Sequence, residues 1–308
     1  PYCDVDCEDG DSDGVCVNWD CNDNIWSCTL DCTTNSDADG EAISMSDCME
    51  VYCGSDPYDA SSSCAMPESA DELADAMGSL NGGTLQIIVG NMEIEDSLPA
   101  LHDDGTATIT QAAGTEILSS ANNLFRLTGD GHRLEGLVIR VQEGNTVIDV
   151  DGDGNVVTGI TMITVDEQPR EGIDVSGADN LINDNYIAGF DDRGIVVDGN
   201  GADGNKIMYN VVTGGVDFTS NDKAGIFVRN AEDTLVVGNV VAHNNMDGIA
   251  LQRAERTVIA HNTIDDNANG LVFAGWGNNR RSSDTCARAN LITGHSWGAG
   301  IVSRSGTS

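Results

Sequence analysis

The sequence predicts an all-β solenoid of stacked parallel coils, preceded by a short acidic segment rich in cysteine. Three observations point there. A Gly-apolar-x-apolar motif recurs down the second half of the chain, and a second motif built around Asn-x-apolar runs in step with it. Glycines number 36 while aromatic residues make up only 5%, a balance that suits short strands joined by many turns better than a helical bundle.

The first motif begins at Gly172 (GIDV), Gly194 (GIVV), Gly225 (GIFV), Gly248 (GIAL), Gly270 (GLVF) and Gly300 (GIVS), at intervals of 22, 31, 23, 22 and 30 residues. Less regular versions start at Leu124 (LFRL) and Val147 (VIDV). The second motif reads LINDNYI from Leu181, KIMYNVV from Lys206, LVVGNVV from Leu235 and VIAHNTI from Val258, which puts Asn185, Asn210, Asn239 and Asn262 at one equivalent position. A unit of about 22 residues with four-residue strands cannot bury its apolar face alone. Parallel stacking about 4.8 Å apart gives every strand partners above and below, and alternate residues such as Ile173 and Val175 then point inward. The recurring asparagines look catalytic in isolation. Their period marks them as an internal amide ladder.

On these motifs the chain resembles the right-handed parallel β-helix superfamily that includes pectate lyases and many surface proteins, over about residues 67–308. The segment SADELADAMGSL (Ser69–Leu80) reads as a capped amphipathic helix, with Ser69 as N-cap and Glu72 three residues on. In the resembled family such a helix plugs the N-terminal end of the solenoid. GGTLQIIVG (Gly82–Gly90) follows as the first expected strand. The last repeat, Gly300–Ser303, is followed only by Arg304–Ser308, so either further chain or another copy is expected to cover that end.

Residues 1–66 form the second expected region. Cys3, Cys7, Cys16, Cys21, Cys28, Cys32, Cys48, Cys53 and Cys64 fall within the first 64 residues, with no CxxC pair and no His among them. This pattern predicts disulfides rather than zinc, hence an oxidising, extracellular or cell-surface location. The tenth cysteine, Cys286, is expected to tie this segment to the solenoid.

Asp9, Asp11, Asp13, Gly14 and Asp20 reproduce the D-x-D-x-D-G-x5-D spacing of a calcium loop, in which alternating carboxylates on a tight turn supply the six to eight oxygens that Ca²⁺ takes. An Asp at the closing position resembles dockerin loops. The tail EVYCGSDP (Glu50–Pro57) resembles bacterial thrombospondin-type-3 repeats, and that resemblance implies Asn35, Asp37, Asp39 and either Asp47 or Glu50 as calcium ligands. DVDGDGN (Asp149–Asn155) opens the same way, but Ile160 stands at its twelfth position, so a solenoid turn is the better reading.

The formal charge is −37, with no Lys or Arg before Arg126 and 26 Asp+Glu in residues 1–125. Phosphates would be repelled, which argues against a nucleic-acid partner. No run of about 18 apolar residues occurs, so no membrane span is expected.

Enzymes of the resembled fold act on acidic polysaccharides along one strand face, using bases or Ca²⁺ for lyase chemistry and paired carboxylates for hydrolysis. The outward positions of the Gly-apolar strands read Arg126, Asp149, Asp174, Val196, Phe227, Ala250, Val272 and Val302, five of the eight apolar. The next row is more polar, with Asp151, Ser176, Asp198, Arg229, Gln252 and Arg304. Asp191, Asp192 and Arg193 are candidate catalytic residues. Asp191–Asp192 resembles the paired Asp of polygalacturonases, without the Gly-His-Gly and Arg-x-Lys elements that should follow, and turn formation is the competing role.

Two long units carry insertions, Thr213–Ala224 and Ala274–Ala287, expected at the same turn of the repeat. In the second, Trp276, Arg280 and Arg281 are candidate ligand-binding residues, by stacking on a sugar and pairing with its acidic groups. Trp276 alternatively covers the apolar outward row. The leading expectation is a calcium-stabilised extracellular β-helix module that binds polysaccharide or a cell surface. A polysaccharide lyase or glycoside hydrolase is the enzymatic alternative. A self-assembling filament or surface-layer protein is the structural one.

Overall fold

The computed structural model describes residues 64–65, 67, 69–79, 83–87, 91–102, 105–111, 114–215, 223–275, 282–296 and 299–305. These form a parallel β-solenoid of about eight coils. Among the described residues the strands make sheets of ten, nine and eight members, and from Ala107 onward each coil passes through the first, second and third sheet in turn. Pairing is parallel throughout.

Register explains why the repeats specify this fold. In the first sheet Ile182, Ile207, Val236 and Ile259 are mutual partners. In the second the column is Ile187, Val212, Val241 and Ile264. In the third it is Ile173, Ile195, Ile226, Ile249 and Leu271. All of these side chains are fully buried. Each coil therefore contributes at least one aliphatic side chain per sheet to a continuous stack, and β-branched residues fill such pleated positions well. The helix Ala70–Ser79 covers the N-terminal end with Leu73 and Met77 buried, and Ser69 Oγ accepts from Glu72 N at 3.2 Å, as the cap predicted. The first sheet begins one strand earlier than Gly83, because Cys64–Ala65 pairs with Thr84–Leu85.

The bends are held by polar ladders. At the first-to-second-sheet bend, Asn185, Asn210, Asn239 and Asn262 each give their backbone N–H to the Oδ1 of the next asparagine in the series, ending at Asn290, over 2.9–3.1 Å. Their amide nitrogens donate onward to the next Oδ1 and to a buried carbonyl such as Ile182 O. A second ladder, Asn155–Asn180–Asn205, lines the third-to-first bend, and Asn244–Asn267 begins a third at the remaining bend. In each ladder the asparagine follows a residue of positive φ, for example Asp184, Tyr209 and His261, which turns the chain while the amide satisfies backbone groups that the bend leaves unpaired.

Cys286 lies on the last strand of the first sheet, exposed and without a disulfide partner among the described residues. Cys64 lies on the first strand of that sheet, nine strand steps away, a separation of about 43 Å. That exceeds any disulfide reach, so the expected tie between Cys286 and the N-terminal segment does not form through Cys64. The two insertions also depart from expectation. Residues 216–222 lie between a second-sheet and a third-sheet strand, whereas 276–281 lie between a third-sheet and a first-sheet strand. The described strands on either side thus show that the first segment precedes a third-sheet strand and the second follows one.

Candidate functional site

The third sheet carries the candidate site on its outward face, and that face has two unlike halves. In the later coils the outward row is Val196, Phe227, Ala250 and Val272, in mutual register. With Ala224 these form a hydrophobic cluster separate from the solenoid core, and each is at most 1% exposed. The apolar outward row is thus real, and it is dry. Phe227 sits between two guanidinium groups, Arg193 at 5.1 Å and Arg229 at 5.6 Å from the ring centroid, a geometry favourable for cation–π attraction.

In the earlier coils the same row turns acidic. Arg126, Asp149 and Asp174 are register neighbours, and Asp174 pairs in turn with Val196. Arg126 donates to Asp149 at 3.2 Å and to Asp151 at 3.3 Å. Ser176 Oγ donates to Asp151 at 2.8 Å. Arg193 and Glu171 form a buried ion pair at 2.5 Å, and Thr146 Oγ1 donates to Glu171 at 3.1 Å. Asp198 accepts from Arg229 and from Asn230 Nδ2.

These surroundings push neighbouring carboxyls in opposite directions. Burial, reinforced by Glu171, Asp149 and Asp198, raises Asp174 to about 7. Asp149 is also raised, by burial and by Asp151, against the pull of Arg126. Asp198 goes the other way: burial works against ionisation, but hydrogen bonds from Arg229 and Asn230 outweigh it and hold the carboxyl below its ordinary range. The face therefore juxtaposes a carboxyl that keeps its proton near neutrality with one that stays ionised, the pairing from which acid and base roles are built.

Of the predicted catalytic residues, Asp191 and Asp192 occupy the bend leading into the third sheet. Their N–H groups donate to Pro169 O and Arg170 O, both at 2.8 Å. Asp192 accepts from Arg170 at 2.7 Å and pairs with Lys223, which also lies 3.8 Å from Asp191. Those two bases hold Asp192 below its usual range despite burial. The pair is a clamp on the bend, consistent with the turn-forming alternative. Arg193 faces the site but is committed to Glu171 and Phe227.

Trp276, Arg280 and Arg281 lie outside the described residues. So do the calcium candidates Asp9, Asp11, Asp13, Asp20, Asn35, Asp37, Asp39, Asp47 and Glu50. Among the described residues, no group of three or more His, Cys, Asp or Glu is arranged to hold a metal ion. DVDGDGN is a solenoid bend, as read: Gly154 has φ 65°, and Asp153 accepts from Ala178 N. Asp174 belonged to the outward row read from sequence, but nothing in its local motif set it apart. Its significance arises from Glu171, Asp149 and Asp198, which three successive coils bring beside it.

No curated protein matches the chain. Among solved structures, the Dettilon tailspike protein gp208 aligns with a TM-score of 0.51 at 13% identity, over 76% of this chain, which spans 48% of the tailspike's length. The periplasmic alginate epimerase AlgG aligns with a TM-score of 0.35 at 10% identity, over 78% of this chain and 77% of its own. The A-module of the Azotobacter vinelandii mannuronan C-5 epimerase AlgE4 gives 0.36 at 14%, over 75% and 85%. Among the described residues no helix is long and apolar enough to cross a membrane. The family model described as "Right handed beta helix region" matches residues 146–308, and the chain belongs to that right-handed β-helix family.

Proposed function

We propose that this protein is an extracellular carbohydrate-binding β-helix and that the acidic half of its third sheet is the glycan-binding face. The observation carrying this reading is the outward set of exposed Asp151 and Ser176 with half-buried Asp149 and Asp174, held together on one strand face. Carboxyl and hydroxyl groups that converge on one face suit a ligand bearing several hydroxyls along its edge. Affinity electrophoresis in gels containing neutral or acidic polysaccharides tests it. Retardation by at least one glycan, reduced in Asp174→Ala, supports the reading; uniform mobility across the panel refutes it.

One observation favours a second reading, enzymatic cleavage of the bound glycan. Asp174, raised to about 7 beside ionised Asp198, has the properties of a general acid at neutral pH. New reducing ends, or unsaturated uronate released from acidic glycans, would establish turnover, and Asp174→Asn should abolish it. We propose as well that the N-terminal segment binds Ca²⁺ through the two loops read from its sequence. Calorimetric titration of the whole protein after chelation should show Ca²⁺ uptake that Asp13→Ala weakens, and no heat of binding would end that proposal.

A further inference from the structure

Away from the third sheet, the bend between the first and second sheets displays a feature that the scaffold does not require. Residues 67–308 contain two tyrosines, Tyr186 and Tyr209. Both are on this bend or just beyond it, on successive coils, and both are exposed, at 40% and 56%. Large aromatic side chains normally go inward, where their area stabilises most.

Tyr209 is also strained. Its φ is +56°, a left-handed conformation that Gly, Asn and Asp adopt readily and a bulky aromatic does not. The equivalent residue is Gly159 two coils earlier, Asp184 one coil earlier and Gly238 one coil later. In later coils His261 and Ala289 hold the same position at positive φ, so the left-handed conformation belongs to the bend and Tyr209 adopts it at a cost. Gly238 moreover leaves room for the ring: a Cβ there would meet Tyr209 Cδ1 and Cε1 at 2.6 Å. The Tyr209 ring lies across the backbone of the next coil with much of its surface open to solvent. Exposed Val240 extends the apolar surface past the bend. Polar groups flank it along the bend column, Asp184 on one side and His261 on the other, both exposed.

We propose that Tyr209, with Tyr186, is a stacking platform for a hexopyranose ring of a neutral glycan, with Asp184 and His261 placed to bond its hydroxyl edge. A pyranose presents C–H groups on its face and hydroxyls around its rim, which matches an aromatic surface between two polar groups. The chain's charge of −37 disfavours uronate-rich or sulfated polymers. This site is separate from the third-sheet face and does not depend on it.

Backbone strain allows the binding role to be separated from a structural one. Isothermal titration with cellohexaose, mannohexaose, xylohexaose and hexagalacturonate is carried out on the whole protein and on Tyr209→Gly, Tyr209→Phe and Asp174→Asn. At least one neutral hexaose is expected to bind. Tyr209→Gly should weaken that binding tenfold or more while its Tm stays equal to or above that of the parent, because glycine relieves the left-handed strain. Tyr209→Phe should keep the affinity within about threefold, and any binding that survives in Tyr209→Gly is assigned to the third-sheet face by its loss when Asp174→Asn is added. The proposal is overturned if no neutral hexaose binds or if Tyr209→Gly binds normally. It is equally overturned if the affinity of Tyr209→Gly falls together with a Tm several degrees lower, since the ring is then a structural prop. Binding that is lost only in Asp174→Asn would leave the third-sheet face as the glycan site and remove this one.

Discussion

The two halves of the third sheet share a backbone and differ in what they do with water. Strands Thr146–Val150 and Glu171–Val175 place Asp149 and Asp174 on the outside, whereas strands Ala224–Arg229, Asp247–Gln252 and Asn269–Gly275 place Phe227, Ala250 and Val272 at the same register position. The inward stacks beneath them are alike. Coil geometry therefore leaves the outer row free to vary, and the chain uses that freedom to set a polar face against a dry one. Arg193 marks the boundary, with Glu171 on its acidic side and the Phe227 ring on the other. In a parallel solenoid, a functional surface is made by changing one outward column over a few coils.

Substitutions that exchange the character of the halves test this contrast. The largest effect is expected for Phe227→Ala, which should cost about 4 kcal/mol by emptying a fully buried aromatic site; a loss under about 1 kcal/mol in denaturant unfolding would show that the outer cluster is wet. Ala250→Asp places an unpaired carboxylate in the dry half and should cost about 3 kcal/mol, whereas the same residue type is tolerated at Asp149 beside Arg126. Asp174→Val extends the apolar row into the acidic half. It should stabilise the fold by about 1 kcal/mol at pH 8 while lowering glycan retention in affinity gels.

The smallest effect is the pH dependence of stability. Asp174 is raised in the folded state, so its contribution is complete below its unfolded pKa and is lost as pH rises through about 7. Asp192 and Asp198 are lowered, so theirs are present above the ordinary carboxylate range and are lost on acidification. Asp174→Asn should remove the decline between about pH 5 and 8 without altering the acid limb.

Much of the scaffold was legible in the sequence because periodicity is a global signal. The Gly-apolar motifs located the third-sheet strands, and the regular spacing of Asn185, Asn210, Asn239 and Asn262 gave away one ladder. The Asn155–Asn180–Asn205 ladder was missed because Thr234 and Thr257 take over its next positions, so no unbroken asparagine series marks it. The insertions were placed at one bend because glycine-to-glycine intervals cannot tell whether extra residues precede or follow a strand. Residues 216–222 end the long interval that closes at Gly225, whereas 276–281 begin the one that opens at Gly270.

The site was less legible. Asp191 and Asp192 attracted notice by standing together, yet their carboxylates are neutralised by Arg170 and Lys223. Asp174 is flanked in the chain by Ile173 and Val175, and the groups that raise its pKa include Asp149 and Asp198, more than twenty residues away in either direction. Sequence reading finds which residues face outward; the electrostatic environment depends on what neighbouring coils stack beside them.

The most direct test of the working-face account is the titration of the Asp174 carboxyl carbon by ¹³C NMR, assigned with Asp174→Asn. A midpoint near 7, moving toward the ordinary aspartate value in Asp149→Asn as a repelling neighbour is removed, is the predicted result. A midpoint near 4 that ignores Asp149 would show a solvated, independent carboxyl and contradict the account.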